Sequence, residues 1–232
     1  MGLNGAYGSH GLYGSNRSNG RNRFYNLHPS FLMITGIYGG SFNPIHQGHT
    51  TLGQWLVRHH YLEELWFLVS PQNPLKPASG LLDDDARLHL ARLAVGRKRH
   101  LRVSDFEFHL PRPSYMVHTL EALREAYPDR DFVLVIGADN WYRFPDWYQS
   151  DEIMRHHRLL VYPRPGYPID PASLPDSTIS GAPSVMLVDT PLLDISSTQV
   201  RRSIAQDSDY AGEGLDPRVW QAIQRNRYYF PV

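Results

Sequence analysis

Short apolar runs alternate with longer segments of helical pattern along most of this chain, and the alternation constrains the fold more than any other feature. The clearest runs, at residues 65–70 and 132–136, consist mainly of Leu, Val, Ile and Phe. Runs of this length suit strands that are buried on both faces. Strands separated by helices predict an open, mostly parallel α/β sheet with helices on both faces and right-handed crossovers.

Six strands and five helices follow from this pattern. The strands are predicted at residues 33–38, 65–70, 101–104, 132–136, 158–162 and 185–188. The helices are predicted near residues 48–59, after the acidic run 83–85, and near 114–126, 198–205 and 217–226. The acidic run is interpreted as a helix cap rather than a metal site, because carboxylates complement the helix dipole at an N-terminus. Ligands of such sheets bind beyond the carboxyl ends of the strands.

Residues 1–30 differ in composition from the rest, being rich in Gly, Asn, Ser, Tyr and Arg with few aliphatic side chains. Such a segment buries too little apolar surface to offset the entropy of ordering. It is predicted to be a flexible N-terminal extension, followed by one compact domain over residues 31–232. Deletion of the extension is expected to leave activity intact.

Charge and composition exclude several classes of function. The 232 residues include 23 basic and 23 acidic side chains, so a broad basic surface for nucleic acid is not expected. The chain has no cysteine, which excludes disulfides and thiolate chemistry and is compatible with a cytoplasmic location. No apolar run approaches the ~18–20 residues of a membrane span, and the N-terminus lacks an apolar secretory signal. The oligomeric state stays open.

The segment GGSFNPIHQGHT at residues 39–50 carries two histidines three positions apart, directly after the first predicted strand. A helix N-terminus attracts anions through its free N–H groups, and imidazoles titrate near physiological pH. His46 and His49 are therefore candidates for binding a phosphate. Two alternatives are an ordinary polar helix cap and a metal-binding pair. A metal pair is better served by i,i+4 spacing with an acidic ligand nearby.

The segment ISSTQVR at residues 195–201 forms a second cluster. Serine and threonine at a helix start cap free N–H groups, and their hydroxyls also hold phosphate oxygens. Arg201 lies one turn after Ser197 on the same helix face, where it can reach the same anion. The alternative is a plain N-cap followed by a solvated arginine. Together with the histidine turn, the cluster predicts two sides of a polyphosphate site.

These two segments resemble the G-x-F-D-P-x-H-x-G-H and I-S-S-T-x-x-R motifs of the HxGH nucleotidyltransferase superfamily. Between them SPQNPLK, PRPSYMVHTL, IGADN, FPDWY and PRPGY occur in the order found in bacterial nicotinate-nucleotide adenylyltransferases. The resemblance covers nearly all of residues 33–205. It implies a Rossmann-like nucleotidyltransferase domain over residues 31–232. The implied reaction, in NAD biosynthesis, joins ATP and nicotinate mononucleotide into deamido-NAD and pyrophosphate, with Mg²⁺ accompanying ATP and no dedicated metal site.

The resemblance also implies roles for individual residues. His46 and His49 would bind the reacting phosphates and stabilise charge, without a protein nucleophile. The implied ATP site comprises Gly40, Ser41, Phe42, His46, His49, Gly137, Asp139, Ile195, Ser197, Thr198 and Arg201. The implied mononucleotide site comprises Asn43, Lys76, Trp147, Tyr148 and Arg164. Asp139 would bind ribose hydroxyls and Trp147 would stack on the pyridine ring, although a tryptophan here also fits a core edge.

The sequence departs from the family pattern at three positions. Asn43 replaces a commoner aspartate, Leu75 stands where many members have histidine, and Met116 stands where threonine is frequent. The nearest alternative function is an adenylyltransferase that prefers nicotinamide mononucleotide. Acceptors such as phosphopantetheine fit FPDWY and PRPGY less well, and a non-catalytic nucleotide sensor on the same fold is the alternative from another class.

Overall fold

The computed structural model describes residues 32–71, 80–179, 182–191 and 194–231. Its strands are β1 Met33–Gly40, β2 Glu64–Val69, β3 Leu101–Ser104, β4 Arg130–Gly137, β5 Arg158–Tyr162, β6 Thr178–Ile179, β7 Ala182–Pro183 and β8 Val185–Leu187. Its helices are α1 Gln47–Arg58, α2 Asp84–Val95, α3 Met116–Ala126, α4 Ala138–Tyr142, α5 Ser150–His156, α6 Ser197–Gln206 and α7 Pro217–Asn226.

Six strands form one sheet in the order β3-β2-β1-β4-β5-β8, and every neighbouring pair is parallel. The predicted parallel α/β sheet is therefore confirmed. The strand order reverses direction between β1 and β4, which makes the crevice above this pair the expected ligand site of an open sheet. Strands β6 and β7 form a separate antiparallel pair, which was not predicted.

Side chains of successive strand residues pack into two different cores, one on each face of the sheet. On β1, Tyr38 joins one core and Ile37 joins the other. The first core also contains buried residues of α1, α2, α6 and α7, and the second contains buried residues of α3 and α5. The prediction of helices on both faces is confirmed. A strand buried on both faces has no solvated side, which explains its continuous apolar sequence.

The predicted boundaries lie within a few residues of the observed ones, but two helices between β4 and β5 were missed. Helix α4 has five residues and α5 has seven, which is too short for a clear helical period. The acidic run behaves as the predicted cap, since the Asp83 carboxylate accepts a hydrogen bond from the Ala86 N–H at 2.8 Å. No helix among the described residues is long and apolar enough to cross a membrane. Residues 1–30 lie outside the described part of the chain.

Candidate active site

The turn between β1 and α1 begins with a tightly folded backbone at Phe42. This residue is buried and has a φ of 44°, in the left-handed region that costs a non-glycine residue about 1–3 kcal/mol. Its ring packs edge-on against the His49 ring, with 5.1 Å between centroids. A Cβ added to Gly40 would lie 3.1 Å from the Phe42 ring, so glycine gives that ring room. The strained Phe42 therefore packs directly against His49.

His46 and His49 stack on each other at the start of α1, with ring centroids 3.7 Å apart. The His46 backbone N–H donates a hydrogen bond to Nδ1 of His49 at 3.1 Å. Because that nitrogen accepts, the proton of the neutral His49 ring lies on Nε2. This arrangement fixes which edge of the ring donates.

His46 is a neutral imidazole at physiological pH. It is 5% exposed, and burial, followed by the positive charge of Arg164, lowers its pKa to about 3. Its buried Nδ1 has no hydrogen-bond partner among the described residues. Of the two possibilities raised by the sequence, hydrogen bonding or positive charge, the structure favours hydrogen bonding for His46.

Gly48, between the histidines, is required by close packing. A Cβ on this residue would lie 2.8 Å from Cγ2 of Ile195 and 2.9 Å from Nδ1 of His46. The glycine thus allows the segment before α6 to approach the start of α1. The two sequence clusters meet at this contact.

Helix α6 also bonds directly to the β1–α1 turn. The Ser197 hydroxyl donates to the Pro44 carbonyl at 2.8 Å, and Nη1 of Arg201 donates to the Asn43 carbonyl at 2.7 Å. Nη2 of Arg201 lies 3.3 Å from the Thr198 hydroxyl oxygen. The structure therefore brings the ISST segment and the histidine turn together, as the sequence predicted.

The carboxyl ends of β4 and β5 supply a charged pair. Nε of Arg164 lies 3.7 Å from Oδ1 of Asp139, and both side chains are partly exposed. Gly137 at the end of β4 has no room for a side chain, because an added Cβ would lie 2.4 Å from the Asp139 carboxylate. These three predicted residues therefore lie at one edge of the crevice.

Two buried tyrosines below this edge were not predicted as site residues. The hydroxyl groups of Tyr38 and Tyr162 lie 2.8 Å apart, and burial is the main cause that raises the pKa of each. Both phenols therefore stay protonated at physiological pH. A cavity between α1 and the segment after β5 is lined by His46, His49, these tyrosines, Trp55 and Arg164. Neither tyrosine belongs to a motif, so only the fold brings them together.

Trp147 and Tyr148 lie in a second aromatic group. The Trp147 ring is half-buried and packs against Phe144 of the second core at 5.4 Å between centroids. Tyr148 is 48% exposed and contacts the ring of Tyr115 at 4.6 Å, next to His118. Trp147 thus contacts the second core, whereas the exposed Tyr148 contacts Tyr115 and His118 at the start of α3.

Arg87 of α2 is fully buried and was missed by sequence reasoning. Its guanidinium donates to the carbonyls of Ser41, Ser70, Pro71 and Leu82 at 2.7–3.3 Å and to the Asp84 carboxylate at 2.5 Å. It therefore ties the segment after β1 to the segment after β2. No local pattern marks it, since the other arginine of α2, Arg92, faces solvent.

Of the remaining predicted residues, one lies outside the described part of the chain and one is bonded inside the protein. Lys76 and Leu75 lie within residues 72–79, outside the described residues. The Asn43 amide is buried and bonded inside the protein, to Gly80, Leu82 and Tyr229. Its predicted contact with substrate stays a prediction. No group of three or more His, Asp or Glu side chains suited to a metal occurs in the described part of the chain.

Comparison with known proteins places this geometry in a family. A cytidylyltransferase-like family model matches residues 37–203. A probable nicotinate-nucleotide adenylyltransferase of Bacteroides thetaiotaomicron is 50% identical over 190 residues, which cover 82% of this chain and 90% of the relative. The chain belongs to the nicotinate-nucleotide adenylyltransferase family. A second family member, from Bacteroides fragilis, is 47% identical over 189 residues, covering 82% of this chain and 90% of the relative.

Solved structures support the fold of the family. The Plasmodium falciparum nicotinic acid mononucleotide adenylyltransferase complexed with NaAD superimposes with a TM-score of 0.71 at 19% identity. The match covers 85% of this chain and 97% of that one. The Rossmann-like nucleotidyltransferase fold implied by the sequence motifs is therefore confirmed, and the family is one of nucleotidyltransferase enzymes.

Proposed function

We propose that this chain transfers the adenylyl group of ATP to nicotinate mononucleotide, forming deamido-NAD and pyrophosphate in NAD biosynthesis. The observation that carries the proposal is the 50% identity to a probable nicotinate-nucleotide adenylyltransferase over 90% of its length. The contact between the histidine turn and the ISST segment agrees with it, because the reaction needs two phosphorylated substrates held against each other.

The phosphate of the mononucleotide attacks the α-phosphorus of ATP in line, and pyrophosphate leaves, so no protein nucleophile is needed. Catalysis rests on positioning and on stabilising charge that develops on the phosphates. The Nε2–H of His49 is the proposed donor to these oxygens, because its Nδ1 accepts from the His46 N–H. The N–H groups at the start of α1 add positive potential at the same place.

On the ATP side, Asp139 binds the ribose hydroxyls next to Gly137, and the N-terminus of α6 binds the triphosphate. The Ser197 hydroxyl already donates to the Pro44 carbonyl, so the backbone N–H groups of Ser197 and Thr198 are the better donors to ATP. Arg201 keeps further N–H groups for an anion beyond its bond to Asn43.

Mg²⁺ would accompany ATP and would neutralise part of the negative charge of its phosphates. The donors described here are mainly imidazoles, hydroxyls and backbone amides, and Mg²⁺ prefers phosphate, carboxylate and water oxygens. We propose that the phosphates of ATP and water would hold the Mg²⁺, without a dedicated protein site.

On the mononucleotide side, Trp147 stacks on the pyridine ring, the Tyr148 backbone recognises its carboxylate, and Lys76 and Arg164 contact the phosphate or carboxylate. Packing of Trp147 against Phe144 would hold the ring ready for stacking. The proposed site of action is the cytoplasm, where ATP is available.

The test mixes the full chain with MgATP and either nicotinate or nicotinamide mononucleotide and measures pyrophosphate release. We expect release with both, with kcat/KM higher for the acid. A higher kcat/KM for the amide would reverse the substrate assignment. Binding of both ligands without pyrophosphate release would instead identify a nucleotide sensor.

A further inference from the structure

The C-terminal segment after α7 folds back onto the first core. Arg227, directly after α7, has a φ of 54°, and Tyr229 has a φ of 67°, so the chain reverses sharply here. Tyr228, Tyr229 and Phe230 are half-buried against the core that contains α1 and α6. This segment lies beyond residues 37–203, which the family model matches.

The Tyr229 hydroxyl reaches the histidine turn. It donates a hydrogen bond of 2.7 Å to Oδ1 of Asn43, 186 positions earlier in the chain. Burial is the main cause that raises the pKa of Tyr229 above its usual range, so the phenol stays a donor at physiological pH. A short bond between such distant residues fixes one segment relative to the other.

Asn43 connects four parts of the molecule. Its Oδ1 also accepts from the Leu82 N–H at 3.2 Å, and its Nδ2 donates to the Gly80 carbonyl at 2.9 Å. Its own carbonyl accepts from Arg201 at 2.7 Å. Both acceptor positions of Oδ1 are therefore filled, and the side chain has one orientation that satisfies every bond.

These contacts explain why the chain has asparagine rather than aspartate here. A carboxylate at this position has no N–H to donate to the Gly80 carbonyl. One of its oxygens would instead lie against the carbonyl oxygen, and both of these atoms are acceptors. It would also be a buried charge, since Asn43 is 3% exposed. The amide is the group that the surrounding donors and acceptors require.

We propose that Tyr229 is a positioning residue for adenylyl transfer. It fixes the side-chain amide of Asn43, and Asn43 in turn holds the turn that carries His46 and presents the backbone carbonyl that orients Arg201. The role rests on the proposed function. Asn43 lies next to the strained Phe42 and three positions before His46, so a loosened amide shifts both ends of the turn. A misplacement of about 1 Å in such a site costs up to about 100-fold in rate.

The test compares Tyr229→Phe with Tyr228→Phe in the full chain. Both remove one phenol oxygen from adjacent half-buried rings, but only the first removes the bond to Asn43. We expect kcat to fall at least about fivefold in Tyr229→Phe, with both KM values within about twofold of wild type and little change in Tm. Tyr228→Phe is expected to keep the wild-type kcat.

A double-mutant cycle tests the route through Asn43. In an Asn43→Ala background, Tyr229→Phe is expected to have no further effect on kcat, because the acceptor is already gone. If the two substitutions multiply their effects on kcat, or if Tyr229→Phe alone leaves kcat unchanged, the proposal is wrong.

Hydrogen exchange separates this proposal from the proposed function. Amides of residues 41–47 are expected to exchange several-fold faster in Tyr229→Phe than in wild type or Tyr228→Phe, without any substrate. Unchanged exchange would overturn the positioning role. Absence of pyrophosphate release by the wild-type protein would overturn only the proposed reaction, and faster exchange would still show that Tyr229 holds the turn.

Discussion

Replacement of Arg87 by methionine is expected to destabilise the domain by about 3–5 kcal/mol. Methionine keeps the length and apolar stem of the side chain but removes all five hydrogen bonds. The bonds to the Ser70 and Pro71 carbonyls are fully buried, and each carbonyl left without a donor costs about 1–3 kcal/mol. Loss of the bond to Asp84 adds little to the cost in unfolding free energy, because Asp84 is partly exposed and keeps an ion pair with Arg112 at 2.9 Å.

The assay is urea unfolding monitored by tryptophan fluorescence, with Arg92→Met as the matched control on the same helix. Arg92 pairs with Asp105 at 3.0 Å, and both side chains are largely exposed, so its loss is expected to cost less than about 1 kcal/mol. For a domain of this size, the expected loss in Arg87→Met corresponds to a fall in Tm of about 10 °C. Equal unfolding free energies for the two variants would refute the reasoning, because the buried carbonyls would then need no donor.

Two further predictions concern the histidine turn, and a third concerns the buried His157 directly before β5. Gly48→Ala is expected to reduce kcat/KM at least tenfold, because the new Cβ displaces His46 and Ile195. Tm is expected to fall by only a few degrees, because the gain in helix propensity offsets part of the cost of overpacking, and unchanged kinetics would contradict the close contact. His49→Ala is expected to lower kcat about 100- to 1000-fold with a smaller change in ATP affinity, measured by steady-state kinetics and calorimetry, and a near-normal kcat would exclude its role at the transition state. Burial lowers the pKa of His157 to about 4, so its neutral form favours folding above pH 6.5 and this contribution is lost as pH falls towards 4. Between pH 7 and pH 5, wild type is therefore expected to lose about 2 kcal/mol more unfolding free energy than His157→Asn, and parallel pH curves for the two proteins would contradict this.

The order of strands and helices was predictable because each buried strand leaves a continuous apolar run. Strand β4, for example, is buried over its last six residues, and its sequence FVLVI has no polar interruption. The two motif segments of the candidate site were predictable for a different reason. Gly48, the histidines and the ISST cluster are local patterns whose spacing reflects a helix start, and each can be recognised without its partner.

The contacts that hold these segments together could not be predicted, because they join residues with no local signature. Arg87 and Arg92 both occur in α2, and only the packing of the helix makes one fully buried and the other exposed. The Tyr38–Tyr162 pair is 124 positions apart and the Tyr229–Asn43 pair is 186 positions apart. Sequence periodicity predicts which face of a helix or strand is buried. It does not predict which polar side chain from another element will form a hydrogen bond with that face.

Three side chains, one from α2 and two from α6, bond to carbonyls of the histidine turn. Arg87 binds the Ser41 carbonyl, Arg201 binds the Asn43 carbonyl, and Ser197 binds the Pro44 carbonyl. In a trans peptide the C=O and the following N–H point in opposite directions. A donor that holds the Ser41 or Pro44 carbonyl therefore directs the next N–H away from itself and towards the opposite side of the turn. Arg87 and Ser197 thus fix the direction of the Phe42 and Ile45 N–H groups, even though their own protons are used on the protein.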